Sequence, residues 1–165
     1  MKKILFIAIT LLLPLFTFAQ TAEECLKIGH NYSSGQNGVS LDYKEAAKWY
    51  RKAADQGSIV ALYSIGRLYD NGLGVTKDIT EAVKWYKKAA EQGNSRAQYF
   101  LGSCYANGKG VKNDYNLAIE WYQKAAACGN IYAMNSIGNF YEDGLGVTRD
   151  FQKAKEWYQK APGNR

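Results

Sequence analysis

Apolar residues recur along the chain at spacings of three and four, which keeps side chains on one face of an α-helix. In residues 58–71 that face carries Ala61, Ile65, Leu68 and Tyr69. Such a face is buried against neighbouring elements when a helix belongs to a folded domain. The pattern therefore predicts an amphipathic helix over this segment.

A short turn containing glycine separates this helix from a second one. Gly72 and Gly74 follow the first helix, and glycine readily adopts the left-handed conformation that ends helices. Asp78 then suits the N-cap of the second helix, and with Glu81 it predicts a reciprocal capping box. Small and aromatic residues form the inward face of that helix: Ala82, Trp85, Tyr86 and Ala89. Gly93 ends it.

This pair of helices occurs four times with a period of 36 residues. The period is marked by four Trp-Tyr pairs, at Trp49-Tyr50, Trp85-Tyr86, Trp121-Tyr122 and Trp157-Tyr158. A fixed period between 20 and 50 residues indicates a repeat architecture in which stacked units share a core. The sequence therefore predicts an all-α solenoid of four 36-residue helix-turn-helix repeats, at about residues 22–57, 58–93, 94–129 and 130–165.

Small residues within each repeat have a predicted packing role. Gly66 and Gly102 recur one period apart, where they allow helices to approach each other closely. Leucine at either position is expected to overpack the contact at a cost of roughly 1–3 kcal/mol.

The first nineteen residues have a different pattern. Lys2 and Lys3 precede an apolar run over residues 4–16, and small residues come before a break after Ala19. This pattern is typical of a secretory signal peptide, predicted here over residues 1–19, and an uncleaved anchor is the alternative. The solenoid would then be residues 20–165, exported to the periplasm or out of the cell, with no membrane span after cleavage.

The charge is mildly basic. Removing Lys2 and Lys3 lowers the formal net charge from +6 to +4, and acidic residues are interspersed among the remaining basic ones. A nucleic-acid-binding protein would need a denser basic stripe. The charged residues therefore indicate a solvated surface, and no nucleic-acid partner is expected.

The three cysteines are expected to stay unpaired within the chain. Cys25, Cys104 and Cys128 fall on different helices, and packed helices lie about 8–10 Å apart, whereas a disulfide needs Cα atoms within about 7 Å. Cys104 replaces an apolar core residue of its sister repeats. Cys25 and Cys128 are expected to be exposed, where either could pair with another chain.

The repeat resembles a known family. Residues 97–129 closely match the pattern A-x-Y-x-L-G-x-x-Y-x-x-G-x-G-V-x-x-D-Y-x-x-A-x-x-W-Y-x-K-A-A-x-x-G, which is similar to that of the Sel-one-like repeat (SLR) family, relatives of the tetratricopeptide repeats. The resemblance implies a right-handed superhelix whose first helices line a concave surface, and a role as a protein-interaction scaffold. One branch of the family, with members described as penicillin-binding or β-lactamase proteins, has a cysteine pair in each repeat, which this chain lacks.

Residues suited to catalysis are few. His30 is the only histidine, so a catalytic triad could be built only around it, and its position is occupied by different residues in the other repeats. Cysteine, histidine and acidic residues do not have the spacing of a metal site. We therefore expect no catalytic residues, no metal and no cofactor.

Positions that vary between repeats are the candidates for contact with a ligand. On the first helices they form a stripe of aromatic, amide and charged residues, a composition typical of peptide-recognition surfaces. The candidates are Tyr63, Arg67, Asp70, Arg96, Tyr99, Ser103, Tyr132, Asn135 and Asn139. For Tyr63 and Tyr99 the alternative is ordinary packing between repeats.

The sequence thus favours an exported scaffold that binds a protein or peptide through its concave face. Two alternatives remain open at this point: a β-lactamase-like or penicillin-binding hydrolase of the envelope, and a structural protein that binds peptidoglycan.

Overall fold

The computed structural model describes residues 20–161, and this part of the chain consists of helices and connecting turns without strands. The helices pair within four repeats, as predicted, and each packs most closely against its neighbours along the chain. The predicted signal peptide lies outside the described residues. The helices are α1 Ala22–Ser34, α2 Tyr43–Asp55, α3 Ile59–Asn71, α4 Ile79–Glu91, α5 Ser95–Asn107, α6 Tyr115–Ala127, α7 Ile131–Asp143 and α8 Phe151–Lys160.

The cap of α4 differs in one respect from the prediction. The Asp78 carboxylate accepts a hydrogen bond from the backbone N–H of Glu81, as expected. The predicted hydrogen bond from the Asp78 N–H to the Glu81 carboxylate is wrong, because that N–H already donates to the carbonyl of Tyr69 and the carboxylate pairs with Lys84 at 2.9 Å. The complete capping box occurs instead at the start of α1, between Thr21 and Glu24.

Each repeat is held together by a tyrosine of its second helix against a glycine of its first. In the second repeat a Cβ on Gly66 would lie 2.6 Å from the ring of Tyr86, which is completely buried. Gly102 faces Tyr122 in the same way, at 2.8 Å. The predicted close approach is therefore made by a tyrosine ring lying on the glycine.

In the second, third and fourth repeats, the second glycine of the turn joins consecutive repeats. Gly110 has a φ of +70°, and a Cβ there would lie 2.7 Å from the backbone oxygen of Ile79, the first residue of the preceding repeat's second helix. Gly146 approaches Tyr115 equally closely. The turn thus requires glycine both for its left-handed backbone and for the contact with the previous repeat.

The recurrent tryptophans bind lysines of their own helices. The lysine three residues after each tryptophan lies over the indole ring, with 4.0 Å between the Lys124 Nζ and the Trp121 ring centroid. The other three pairs have the same spacing in sequence: Lys52 over Trp49, Lys88 over Trp85 and Lys160 over Trp157. Four of the 21 lysines and arginines are therefore a repeated feature of the second helices.

All three cysteines are free thiols. Cys104 is buried, as expected, and burial raises its pKa to about 11. Cys128 is exposed at the end of α6. The expectation that Cys25 is exposed is wrong: it is 1% exposed, because the inner face of α1 turns it into the core of the first repeat.

Within residues 20–161 no helix is both long and apolar enough to cross a membrane. In the same residues, histidine, cysteine and acidic side chains do not gather into any group of three that could hold a metal ion.

Candidate binding groove

Five of the predicted binding residues come together along the first helices of the second, third and fourth repeats. They surround a depression of about 480 Å³ that we call the aromatic groove, lined by Tyr63, Arg67, Arg96, Tyr99, Phe100, Asn130 and Tyr132. Helices α3 and α5 supply most of these side chains, and α7 supplies Tyr132 with Asn130 as its N-cap. The site is therefore composite, since each repeat supplies only part of it.

A continuous row of rings forms the floor of the groove. Phe100 lies at its centre, with ring centroids 5.8 Å from Tyr63 and 5.4 Å from Tyr99. Tyr99 continues the row to Tyr132 at 5.8 Å. Offset and edge-on contacts of this kind hold aromatic rings in fixed positions. The floor is thus formed before any partner binds.

The rings differ in how much surface they offer to a ligand. Tyr132 is 71% exposed, whereas Tyr63 is only 8% exposed. Tyr99 and Phe100 are partly buried. Tyr63 therefore acts mainly in packing, one of the two alternatives considered for it, while Tyr132 and the open faces of the central rings are available for contact.

Two arginines line the groove. The Arg67 guanidinium lies 5.5 Å from the centroid of Phe100 and donates a hydrogen bond of 3.3 Å to the Tyr63 hydroxyl. That hydrogen bond is the main reason why the pKa of Arg67 is raised. Arg96 is exposed on the first turn of α5. The groove lining includes no acidic residue.

Neither arginine forms a salt bridge among the residues that the structure describes. The ion pairs found there join lysines to acids within single helices or at their caps, with Lys84 and Glu81 as one example. Asp70 lies one turn after Arg67 and is a longer-range electrostatic neighbour. Asp70 accepts a 3.0 Å hydrogen bond from the Tyr86 hydroxyl. The residues that line the groove therefore carry two positive charges and no negative charge of their own.

The other four predicted residues lie outside the groove lining. Asp70 accepts a hydrogen bond from the Tyr86 hydroxyl of its own repeat. Asn139 lies 2.7 Å from the Tyr158 hydroxyl, which also lies 2.6 Å from a carboxylate oxygen of Glu142. Ser103 is partly buried and accepts from the Asn107 amide through its backbone oxygen. Asn135 is also partly buried. The structure thus gives Asp70 and Asn139 a role inside their repeats.

Sequence reasoning missed two residues of the groove. Phe100 occupies the position held by Ser64 and Ser136 in the flanking repeats, so the comparison of repeats contained a signal for it. Asn130 gave no such signal, because it is an N-cap whose side chain accepts from the backbone N–H of Ala133. It reaches the groove only because α7 starts beside α5.

His30 lies in a separate depression of about 380 Å³ between α1 and α3, together with Tyr50 and Ser64. The hydroxyls of Ser33 and Ser34 donate to the backbone carbonyl of His30, at 2.9 Å and 2.8 Å. Serine activation would require a hydrogen bond to the imidazole ring. The serines bonded to His30 are therefore not placed as activated nucleophiles.

Comparison with known proteins agrees with this architecture. The family model described as Sel1 repeat matches four consecutive segments, residues 25–58, 59–94, 95–130 and 131–161. The chain belongs to the Sel1 repeat family. Proteins of this family are typically non-enzymatic scaffolds that bind other proteins. No curated protein matches the chain in sequence.

Two solved structures of Sel1 repeat proteins are similar to this chain. A Sel1 repeat protein from Oxalobacter formigenes is 44% identical, with a TM-score of 0.84 over 88% of this chain and 59% of its own. The protein c5321, a protective antigen of uropathogenic Escherichia coli strains with an SLR fold, is 41% identical, with a TM-score of 0.82 over 85% of this chain and 30% of its own. The chain thus spans less than two thirds of either protein.

A third structure shares the fold alone. Helicobacter pylori cysteine rich protein B is 23% identical and has a TM-score of 0.58 over 68% of this chain and 86% of its own. The three cysteines of the present chain are free thiols.

Proposed function

We propose that this Sel1 repeat protein is exported and binds a protein or peptide partner through its first helices, on the concave face of the solenoid, with the aromatic groove as the centre of contact. The observation that carries the proposal is the convergence of two arginines and a row of rings from three repeats on one depression. Arginine and tyrosine contribute disproportionately to binding energy at protein interfaces.

The groove is suited to rigid recognition. Phe100 contacts three other rings, those of Tyr63, Tyr86 and Tyr99, and the Tyr63 hydroxyl orients Arg67 before a partner arrives. Side chains that are already ordered lose little conformational entropy on binding. A preformed groove can therefore bind a short segment with useful affinity despite its small area.

Affinity capture tests the proposal. The mature protein is compared with a variant carrying Arg67→Ala, Arg96→Ala and Tyr132→Ala, using proteins extracted from the native cell envelope. A control variant carries Arg51→Ala and Lys87→Ala on second helices outside the groove. We expect a partner that the wild type and the control retain and the groove variant loses. Equal capture by all three proteins would place the contact elsewhere and refute the proposal.

The proposed export has its own test. If residues 1–19 direct secretion, the mature protein purified from the expressing cells should begin at Gln20. Amino-terminal sequencing checks this directly. A mature protein that still begins at Met1 and fractionates with the cytoplasm would refute it.

A further inference from the structure

We infer that the segment bound in the aromatic groove is acidic: a short extended peptide with an Asp or Glu side chain next to an aromatic or large aliphatic residue. This rests on the proposed function, because it names the chemistry of the partner that the groove would hold. The inference adds that the bound segment must contain a carboxylate, which the proposal of protein binding alone does not require.

The charge of the groove is the first argument. Arg67 and Arg96 both line it, and none of its lining residues is acidic. Arg67 uses one N–H on Tyr63, which leaves further donors of its planar guanidinium for a ligand. Arginine binds carboxylates through two parallel hydrogen bonds, which are stronger than those between neutral groups. A carboxylate would thus supply the counter-charge that the groove lining lacks.

Eight lysines of the described chain have a nearby acid or indole ring as a partner for their charge. Lys48, Lys84, Lys87 and Lys153 each have an acidic partner on the same helix or at its cap. The lysines that follow the four tryptophans lie over indole rings. Arg67 has a ring and a hydroxyl but no acid within salt-bridge distance. Other cations of the described chain, such as Arg51, also have no salt bridge, so what distinguishes Arg67 and Arg96 is that both line one depression without an acid.

The rings supply the second argument. Tyr132 is 71% exposed and its ring continues the row that starts at Tyr63. Exposed rings beside arginines offer a flat surface for an apolar side chain next to the carboxylate. The ligand should therefore combine both kinds of group.

A peptide fits this arrangement better than a nucleic acid does. The groove runs across the first helices of three repeats but offers only two cations. A nucleic-acid site needs a basic groove that follows the phosphates along the strand. One or two carboxylates on a peptide match two arginines, and the peptide backbone can extend along the rings.

Selection from a random dodecapeptide display library tests the inference. The library is panned on the mature wild-type protein and, separately, on the Arg67→Gln/Arg96→Gln variant. We expect sequences enriched on the wild type to contain Asp or Glu beside an aromatic or large aliphatic residue. We expect these sequences to be lost on the double variant.

Titration calorimetry on the best enriched peptide then measures the contribution of charge. Replacing its acidic residues by the matching amides should raise Kd about tenfold or more, because charge-assisted hydrogen bonds contribute roughly 1.5–3 kcal/mol. Arg67→Gln and Arg96→Gln should each weaken binding to a similar degree. Arg51→Gln is the matched control, because Arg51 also donates to a tyrosine hydroxyl, that of Tyr69, but does not line the groove. It should leave Kd within twofold.

Five results would overturn the inference. Enrichment of neutral or basic sequences, absence of any enrichment, or equal binding of the acidic peptide and its amide counterpart would each show that a carboxylate is not what the groove selects. An identical effect of Arg51→Gln would show that the loss reflects general charge. Capture of an envelope partner that depends on Tyr132 but not on Arg96 would preserve the proposed function while refuting its acidic specificity.

Discussion

Replacing Gly66 by alanine should destabilise the protein, although alanine is the better helix former. A Cβ at Gly66 would lie 2.6 Å and 2.7 Å from two ring carbons of Tyr86, and 3.3 Å from the carbonyl oxygen of Ala82. The Tyr86 ring is completely buried and its centroid stacks 5.5 Å from that of Phe100. It therefore cannot withdraw without moving the floor of the groove.

The size of the effect follows from two opposing contributions. Alanine in a helix interior is about 0.8–1 kcal/mol more favourable than glycine. Overpacking of a filled core costs roughly 1–3 kcal/mol, and the upper part of that range applies because two ring atoms and a backbone oxygen are met together. The net loss at Gly66 should be about 1–2 kcal/mol, which lowers Tm by roughly 2–8 °C in a chain of this size.

Urea unfolding followed by circular dichroism measures this loss. Wild type, Gly66→Ala, Tyr86→Ala and the double variant are compared in the same concentration of sucrose, which favours the folded state of the weaker variants. Without the Tyr86 ring, the alanine should stabilise the protein by up to about 1 kcal/mol. If Gly66→Ala stabilises the wild type, or costs the same free energy in both backgrounds, the packing argument is wrong.

Three further predictions concern features that recur among the repeats. Gly110→Ala should cost more free energy of unfolding than Gly129→Ala in urea melts, because both backbones are left-handed but only Gly110 would press a Cβ onto the preceding repeat; equal losses would contradict this. Lys124→Gln should cost roughly 0.5–1 kcal/mol, and the loss should vanish when Trp121 is replaced by leucine; a loss independent of the indole would exclude the cation–π contact. Burial raises the pKa of Tyr122 to about 12, so the stability it contributes is complete below pH 10 and is lost as pH rises towards 12, at no more than about 1.4 kcal/mol per pH unit. Tyr122→Phe should therefore lose less stability than the wild type between pH 10 and 12 in pH-resolved melts, and an unchanged pH dependence would contradict that assignment.

Local rules were enough to predict the fold. The period of 36 residues fixed the number of helix pairs, and Gly72 and Asp78 marked where helices end and begin. The predicted hydrogen bond from the Asp78 N–H to the Glu81 carboxylate was wrong for a reason that those rules do not cover. The Asp78 N–H bonds to the carbonyl of Tyr69 in the preceding helix, so the Glu81 side chain is left to pair with Lys84.

Which residues of α1 are exposed was harder to predict from the sequence. The start of that helix suggested an exposed position for Cys25, yet the side chain is 1% exposed. It packs with Ala53 in the core of the first repeat, and the Gln56 amide lies within hydrogen-bond distance of its sulfur. The burial of Cys25 depends on where the end of the second helix packs against the first helix. The spacing of residues within one helix does not predict that contact.

Some features of the candidate site follow from the spacing within one repeat, and others depend on contacts between residues that are distant in sequence. The stripe on the first helices included Arg67, Arg96 and Tyr132, which line the groove together because their positions follow from helical spacing and the repeat period. The same stripe included Asp70 and Asn139, whose oxygens instead lie within hydrogen-bond distance of the tyrosine hydroxyls of their own repeats. Variation between repeats therefore marks two different things: contacts adapted within a repeat, and positions free to meet a partner.

These two roles can be told apart only from the contacts that residues of different repeats make with one another. Phe100 projects into the groove where its sister positions are serines, and its ring brings Tyr63 of one repeat and Tyr99 of its own into a single floor. Arg67 lies over that same ring, so a cation from the second repeat is positioned by an aromatic residue of the third. A serine in place of Phe100 would remove the ring that joins the two repeats. The recognition chemistry of this solenoid therefore depends on which residues coincide across repeats, whereas its fold depends on what the repeats share.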